Sequence, residues 1–331
     1  MSKLFVPEKI ETELHRLQME ASPYGARATL FNLVVFTRDD SQHQAERIYS
    51  GMFGKRTARI IHINRTSAEQ SRVMVSARCL EDGARESICF QEVLIECGRD
   101  ELGAAPGAWI PLLLRDIPVF VLWLDRVVGN EDIIAGAVEH ADKIIFDSDF
   151  LCGGREPIGE LLRVYLEQVV ESGVLLADLS WKRGLPLRKL TAWAFNHDAT
   201  LPLLDEIAGV RVEGGQCATV QLYFLWLAER LNWQLQGSGF VLPDGRNIPA
   251  EHHTPGTLAD GIEIRLELRN GEEISLSGGA SGCGEIDIPG IRSLPRVFHA
   301  PESGQLLQEE TDYLYGDPTY RAALNKLYDH H

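Results

Sequence analysis

Apolar positions along the first half of the chain recur with two alternating periods. Ile10, Leu14 and Leu17 fall on one face of a helix over residues 8–20. TLFNLVVF (29–36) is a continuous apolar, β-branched run, the pattern of a strand buried on both faces. Asp39, Asp40 and Ser41 are helix-starting residues, and Ala45, Ile48, Tyr49 and Met52 follow at helical spacing up to Gly54. ARIIHI (58–63) completes a β-α-β unit, which predicts a parallel pair with a right-handed crossover. RVMVSARCL (72–80) and ESICFQEVLIEC (86–97) then flank an Asp-Gly turn and predict an antiparallel hairpin. The earlier rhythm resumes with a helix around 104–114, strand IPVFVLWL (117–124), and a helix capped by Asn130. Strand KIIFDS (143–148) and a helix over 157–170 follow.

Beyond residue 172 the texture changes. Residues 175–196 read as mostly helical around a Gly-Leu-Pro interruption, and 217–231 is apolar on nearly every side, as a helix inside a domain would be. Short alternating runs follow. IEIRLELR and EEISLSG meet at Asn270-Gly271, and GEIDIP and LPRVFHA add two further strands. Helices around 303–314 and from Asp317-Pro318 come last. The expected architecture is a Rossmann-like α/β domain over 1–172, whose mostly parallel sheet carries one inserted antiparallel hairpin. An α+β domain with an antiparallel sheet follows over 173–331.

Composition narrows the function classes. The 331 residues carry 32 Lys and Arg against 48 Asp and Glu, a net charge of −16. Such a surface repels phosphate backbones and anionic head groups, which argues against nucleic-acid and membrane partners. The most apolar stretch, IPVFVLWL (117–124), has eight residues, well short of the ~20 of a membrane span, and no secretory h-region is visible near the start. None of the six cysteines has CxxC spacing. The chain reads as cytoplasmic, without a contiguous metal or redox motif.

No linear motif supplies a reaction. The first β-α turn, TRDDSQHQ (37–44), lacks the glycines of a dinucleotide fingerprint and holds two adjacent carboxylates. The glycine cluster 278–284 lies between strands, without a helix N-terminus behind it. Cys152-Gly153-Gly154-Arg155 places a thiol near an expected helix start and an arginine, the setting of a thiolate or of a plain small-residue connection. Glu251-His252-His253 is a minimal metal candidate or a solvated loop. No cofactor is expected.

Two basic islands interrupt the acidic background. Lys55, Arg56, Arg59 and Arg65 surround the second strand. Lys182, Arg183, Arg188 and Lys189 fall within eight residues, between Trp181 and Trp193. Arginine and tryptophan dominate binding hot spots, so the second island is a candidate contact surface; the other reading is a set of internal ion pairs.

Three segments carry a family resemblance. WIPLLLRDIPVFVLWLD (109–125) resembles a Pro-Leu-Leu…Asp-x-Pro segment running into a tryptophan-bearing strand. DLSWKRGLPLRKL (178–190) is similar to an Asp-Leu-x-Trp-x-Arg…Arg motif. LLQEETDYL and DPTYRAALNKL look like the same family's ending. The family is that of the glucose-6-phosphate dehydrogenase assembly proteins, OpcA. It often has tryptophan where Leu187 stands, and Trp-Trp-Pro near Leu122-Trp123-Leu124-Asp125. The resemblance implies a non-catalytic activator that binds glucose-6-phosphate dehydrogenase, favours its active oligomer and acts in the oxidative pentose phosphate pathway. It puts the partner contact among Asp178, Trp181, Lys182, Arg183, Arg188, Lys189 and Trp123. The α/β architecture and the basic islands leave a sugar-phosphate- or nucleotide-binding enzyme as the alternative, and the cysteines leave redox sensing as a third reading.

Overall fold

A computed structural model describes residues 7–21, 29–39, 41–82, 86–98, 108–125, 131–152, 172–253, 256–279 and 281–327. The expected helix over 157–170, the start of the one around 104–114, the cap Asn130, Asp40, the Gly83 turn and Gly153-Gly154-Arg155 lie outside them. By contacts the chain forms two compact units, each built from three segments. Unit 1 comprises 1–147, 164–177 and 303–316; unit 2 comprises 148–163, 178–302 and 317–331. The change of texture near residue 172 precedes the crossing between Ala177 and Asp178.

Unit 1 begins with α1 (Pro7–Ala21), which buries Ile10 and Leu14. Strand β1 (Phe31–Arg38) is buried at its first seven positions. Helix α2 (Gln42–Ser50) buries Ala45, Ile48 and Tyr49, and β2 (Ala58–Arg65) repeats the burial of β1. The hairpin β3 (Arg72–Asp82) and β4 (Glu86–Cys97) follows, with β3 antiparallel to β4 and β4 parallel to β2. A single 3-10 turn stands at Ile110–Leu112, and Leu113 is already extended. The expected helix therefore does not run on to residue 114, because the chain straightens here to enter β5 (Val119–Trp123). Helix α3 (Glu131–His140) and strand β6 (Lys143–Phe146) extend the alternation. The chain then enters unit 2 for α4 (Ser148–Cys152) and returns for β7 (Leu175–Asp178).

Strand β7 corrects the helical reading of 175–178. It is the edge of a seven-stranded sheet ordered β3-β4-β2-β1-β5-β6-β7, and tertiary pairing overrides the local preference of Leu-Leu-Ala. β1 pairs in parallel with both β2 and β5, so the strand order reverses there. That is a doubly wound α/β sheet with one antiparallel edge pair.

Unit 2 continues with α5 (Leu179–Arg183), α6 (Leu185–Ala194) and β8 (Ile207–Gly214). Next comes α7 (Cys217–Arg230), buried at nine of fourteen positions. Strands β9 (Gln234–Gln236), β10 (Gly239–Val241), β11 (Asn247–His253), β12 (Ile262–Leu268), β13 (Glu273–Gly278), β14 (Cys283–Ile288) and β15 (Ile291–Val297) follow. With β8 they form an eight-stranded sheet ordered β15-β14-β13-β12-β8-β11-β10-β9, antiparallel apart from β8 with β11. The core lies between this sheet and the helices, with Leu187, Leu190, Val220, Tyr223 and Phe224 meeting Val210, Val212, Ile264 and Leu276.

Helix α8 (Ser303–Thr311) belongs to unit 1 and α9 (Pro318–Asn325) to unit 2. α8 approaches α2 so closely that a Cβ on Gly304 would stand 2.9 Å from the Cα of Gly51. No helix among the described residues is long and apolar enough to cross a membrane.

Candidate functional site

In unit 2 the chain turns from extended at Asp178 directly into α5, and that turn organises the second basic island. The Asp178 carboxylate caps α5 by accepting from the Ser180 N–H at 2.8 Å. It also accepts from the Ser148 hydroxyl and N–H, the latter at 3.2 Å, and from Tyr320 Oη at 3.3 Å. Four donors on one buried carboxylate satisfy the requirement that such a group be hydrogen-bonded. Arg183, 6% exposed, donates to Asp149 Oδ2 at 2.6 Å and to Ser180 Oγ at 3.1 Å. Asp149 in turn takes the Thr219 hydroxyl at 2.6 Å and its N–H at 3.0 Å, which ties α4 and α5 to the start of α7.

Trp181 and Arg188 form the second half of this network. The Trp181 indole N–H donates to Asp317 Oδ2 at 2.7 Å, and Asp317 caps α9. The Arg188 guanidinium lies 3.7 Å from the centre of the Trp181 ring and donates to the Trp181 carbonyl at 2.7 Å. Desolvation lowers the Arg188 pKa to about 10, opposed by the nearby Asp317 carboxylate, so the side chain stays charged at neutral pH. A Cβ on Gly184 would stand 3.3 Å from Arg188 Nη1, close enough to press on the guanidinium at the α5–α6 junction.

The structure thus brings Asp178, Trp181, Arg183 and Arg188 together inside unit 2, while Lys182 is half-buried and Lys189 exposed. Buried cations held by carboxylates and a ring position the backbone; they do not offer charge to solvent. What α6 does offer is a stripe of Leu185 (37% exposed), Lys189 and Trp193 (38% exposed), four residues apart and so on one helix face. Arg296 of β15 places its guanidinium 5.7 Å from the Trp193 ring centre. Leu185 is apolar and Arg296 is distant in sequence, so neither stands out as part of a basic island. The helical period from Lys189 would have found Leu185.

Trp123 lies in unit 1, 1% exposed at the end of β5. Its indole N–H donates to the Asp125 carbonyl at 2.6 Å, and its ring centre is 4.9 Å from that of Phe36. Asp125, also buried, pairs with Arg65 of β2 at 2.5 Å. β2 and β5 flank β1, so this ion pair spans the carboxyl end of β1 at the strand-order reversal. There a doubly wound sheet would receive a dinucleotide. The residues do not fit one. The β1–α2 connection has no glycine, Asp39 takes up the Ser67 N–H at 2.7 Å, and Ser41 Oγ is engaged by the Arg38 backbone. A carboxylate at this turn repels phosphate, and the glycines that would let the backbone approach a pyrophosphate are missing.

The remaining candidates fall within ordinary local structure. His252 Nε2 lies 2.8 Å from the Gly214 carbonyl, and His253 Nε2 lies 3.0 Å from Glu251 Oε2. Among the described residues no three His, Cys, Asp or Glu side chains are grouped to hold a metal. Cys152 is buried at the end of α4. In the other basic island Arg59 is buried and paired with Glu11 at 2.5 Å, whereas Lys55 and Arg56 are exposed.

Known proteins match both halves of the chain. Residues 52–165 match the model of a glucose-6-phosphate dehydrogenase subunit N-terminal domain, and residues 174–324 match that of the corresponding C-terminal domain. A Nostoc punctiforme protein named as the OxPP cycle protein OpcA is 32% identical over 286 residues, covering 79% of this chain and 60% of its own length. A Synechocystis protein of the same name is 27% identical over 265 residues, covering 73% of this chain and 54% of its own. The chain therefore spans between half and two thirds of the length of these relatives. An oxidoreductase from Sinorhizobium meliloti superposes with a TM-score of 0.51 at 10% identity, over 91% of this chain and 96% of that one, a likeness of fold alone. With both domain models matched in order, the chain belongs to the OpcA family of glucose-6-phosphate dehydrogenase assembly proteins.

Proposed function

We propose that this protein associates with glucose-6-phosphate dehydrogenase in the oxidative pentose phosphate pathway and activates it without catalysis of its own, by favouring its active oligomer. The observation that carries this reading is the match of both halves to domains described as parts of a glucose-6-phosphate dehydrogenase subunit. The absence of glycine from the β1–α2 connection supports the non-catalytic part: the sheet has the doubly wound order without the glycine-rich first turn of a dinucleotide site. An activator of this kind must bind the active state of its partner more tightly than the inactive one, by the same free energy with which it shifts that equilibrium.

The proposed contact is the α6 face of Leu185, Lys189 and Trp193, with the half-buried Lys182 on the preceding α5. Asp178, Trp181, Arg183 and Arg188 hold that face in position. Trp123 contributes only to the interior of unit 1. The enzyme alternative draws its phosphate site from Arg183, and that guanidinium is already engaged by Asp149 and Ser180.

The test is the steady-state activity of the cognate dehydrogenase with increasing amounts of this protein. A saturable rise in activity is expected, weakened in Trp193→Ser. Unchanged kinetics together with no turnover of glucose 6-phosphate by this protein contradict the activator role. Turnover by this protein alone favours the alternative.

A further inference from the structure

Among the described residues the two sheets have four edges, and three of them are guarded. In unit 2, β9 has three residues, and β15 carries Pro295 and faces a break of register in β14 between Ile286 and Ile288. In unit 1, β7 has four residues. Short edges, prolines and bulges are devices by which sheets avoid pairing with other chains. The fourth edge, β3, has none of them. It runs for eleven residues, Arg72–Asp82, without proline, and pairs with β4 along its whole length without a register shift. At about 3.4 Å per residue this edge is about 37 Å long. Among the described residues no strand lies beyond it.

Successive residues of β3 alternate between the faces of the sheet. Ser76 Oγ donates to Glu92 Oε2 at 3.0 Å, and Glu92 also accepts from Tyr49 of α2. Arg72, Met74, Ser76 and Arg78 therefore share the face of α2, and Val73, Val75 and Ala77 take the other. No position from 72 to 78 is buried, and Met74 is 47% exposed. Arg72 pairs with Glu96 of β4 at 2.9 Å while most of its side chain stays in solvent.

The residues of this edge are complementary to themselves. Two copies related by a twofold axis at Ala77 would pair antiparallel, with Arg72 opposite Asp82 of the second copy and Met74 opposite its Leu80. The small Ala77 would stand opposite its own copy. Residues opposite each other must share a face, so the axis can move only by whole residues. Moved to Ser76, it sets Met74 against Arg78 and Arg72 against Leu80. Moved to Arg78, it sets that arginine against its own copy, and like charges directly opposite are destabilising. The axis at Ala77 meets charge with opposite charge and apolar with apolar.

We propose that β3 pairs edge to edge with β3 of a second copy of this chain, antiparallel about Ala77, joining two seven-stranded sheets into one. Main-chain hydrogen bonds along the edge supply affinity, and the pair of Arg72 with Asp82, present twice, fixes the register. The contact does not involve the α6 face and does not depend on the dehydrogenase reading.

The experiment is sedimentation equilibrium of the purified chain alone. The samples are wild type, Arg72→Asp, Asp82→Arg, an equimolar mixture of these two variants, and Trp193→Ser, each with the wild-type circular dichroism spectrum. Wild type is expected to be a dimer in equilibrium with monomer. Each single reversal sets two like-charged pairs across the axis and is expected to weaken the dimer about ten-fold. The mixture is expected to recover the wild-type affinity, because Arg72→Asp against Asp82→Arg restores opposite charges at both ends. Wild type that stays monomeric up to about 100 µM overturns the proposal. A dimer that both reversals leave within two-fold of wild type overturns it as well, and so does one that the mixture fails to restore. Dissociation by Trp193→Ser would put the contact on α6 and equally overturn it.

Discussion

Arg183 and Lys189 stand six positions apart in one basic run, and the structure gives them opposite roles. Arg183 is held by Asp149 and Ser180 in the interior, so Arg183→Ala leaves a buried carboxylate without its cation. Breaking a buried pair in this way costs about 3–5 kcal/mol. Lys189→Ala removes a solvated side chain and is expected to stay within about 0.5 kcal/mol of wild type. Urea unfolding of the two variants checks the contrast, and equal losses would contradict the assignment.

His62 gives a pH signature at the same scale. It is fully buried, with Nε2 2.7 Å from Thr37 Oγ1 and Nδ1 3.4 Å from the Tyr49 hydroxyl, which itself donates to Glu92. Burial lowers its pKa to about 3. The unfolded chain protonates this histidine near 6.5 and the folded chain does not, so between those values the unfolded state binds the extra proton. The stabilisation is complete above pH 6.5 and is lost as pH falls toward 3, at no more than about 1.4 kcal/mol per pH unit. Stability measured from pH 7 to 4 in wild type and His62→Gln should differ in slope by up to one proton; parallel curves would count against the buried neutral imidazole.

At the level of elements, two glycines make opposite predictions. Gly304→Ala drives a Cβ to 2.9 Å from both Gly51 Cα and the Ile48 carbonyl where α8 meets α2, an overpacking expected to cost about 1–3 kcal/mol. Gly136 lies inside α3 with nothing within 4 Å of its added Cβ, so Gly136→Ala should gain up to about 1 kcal/mol of helix stability. Thermal unfolding of both variants reads the difference in sign. The strands buried on both faces, β1 and β2, and the alternating β12–β13 hairpin were legible because their apolar periods are long and regular. β7 was not, since its four residues are a strand only through the sheet edge they complete. β8 went unseen because Gly209 and Arg211 interrupt its apolar run, although it is central to unit 2's sheet. The site was half legible. The run of cations and tryptophans was visible, but exposure depends on carboxylates at positions 149 and 317, which no local pattern connects to residues 181–189.

For the whole molecule, the charge of −16 has a more specific meaning than exclusion of polyanions. In unit 2 the exposed Lys189 shares a helix face with the exposed Leu185 and Trp193. Against an acidic background such a place favours a protein surface of complementary charge, and salt should weaken the encounter more than the final apolar contact. Because the chain spans only part of the length of its relatives, association with the dehydrogenase has to be measured on this chain itself. Sedimentation velocity of the purified protein mixed with the cognate glucose-6-phosphate dehydrogenase at micromolar concentration measures it directly. The account predicts a new, faster boundary containing both proteins, whose population falls with Trp193→Ser. Two boundaries at the positions of the separate proteins, at every mixing ratio, would contradict it.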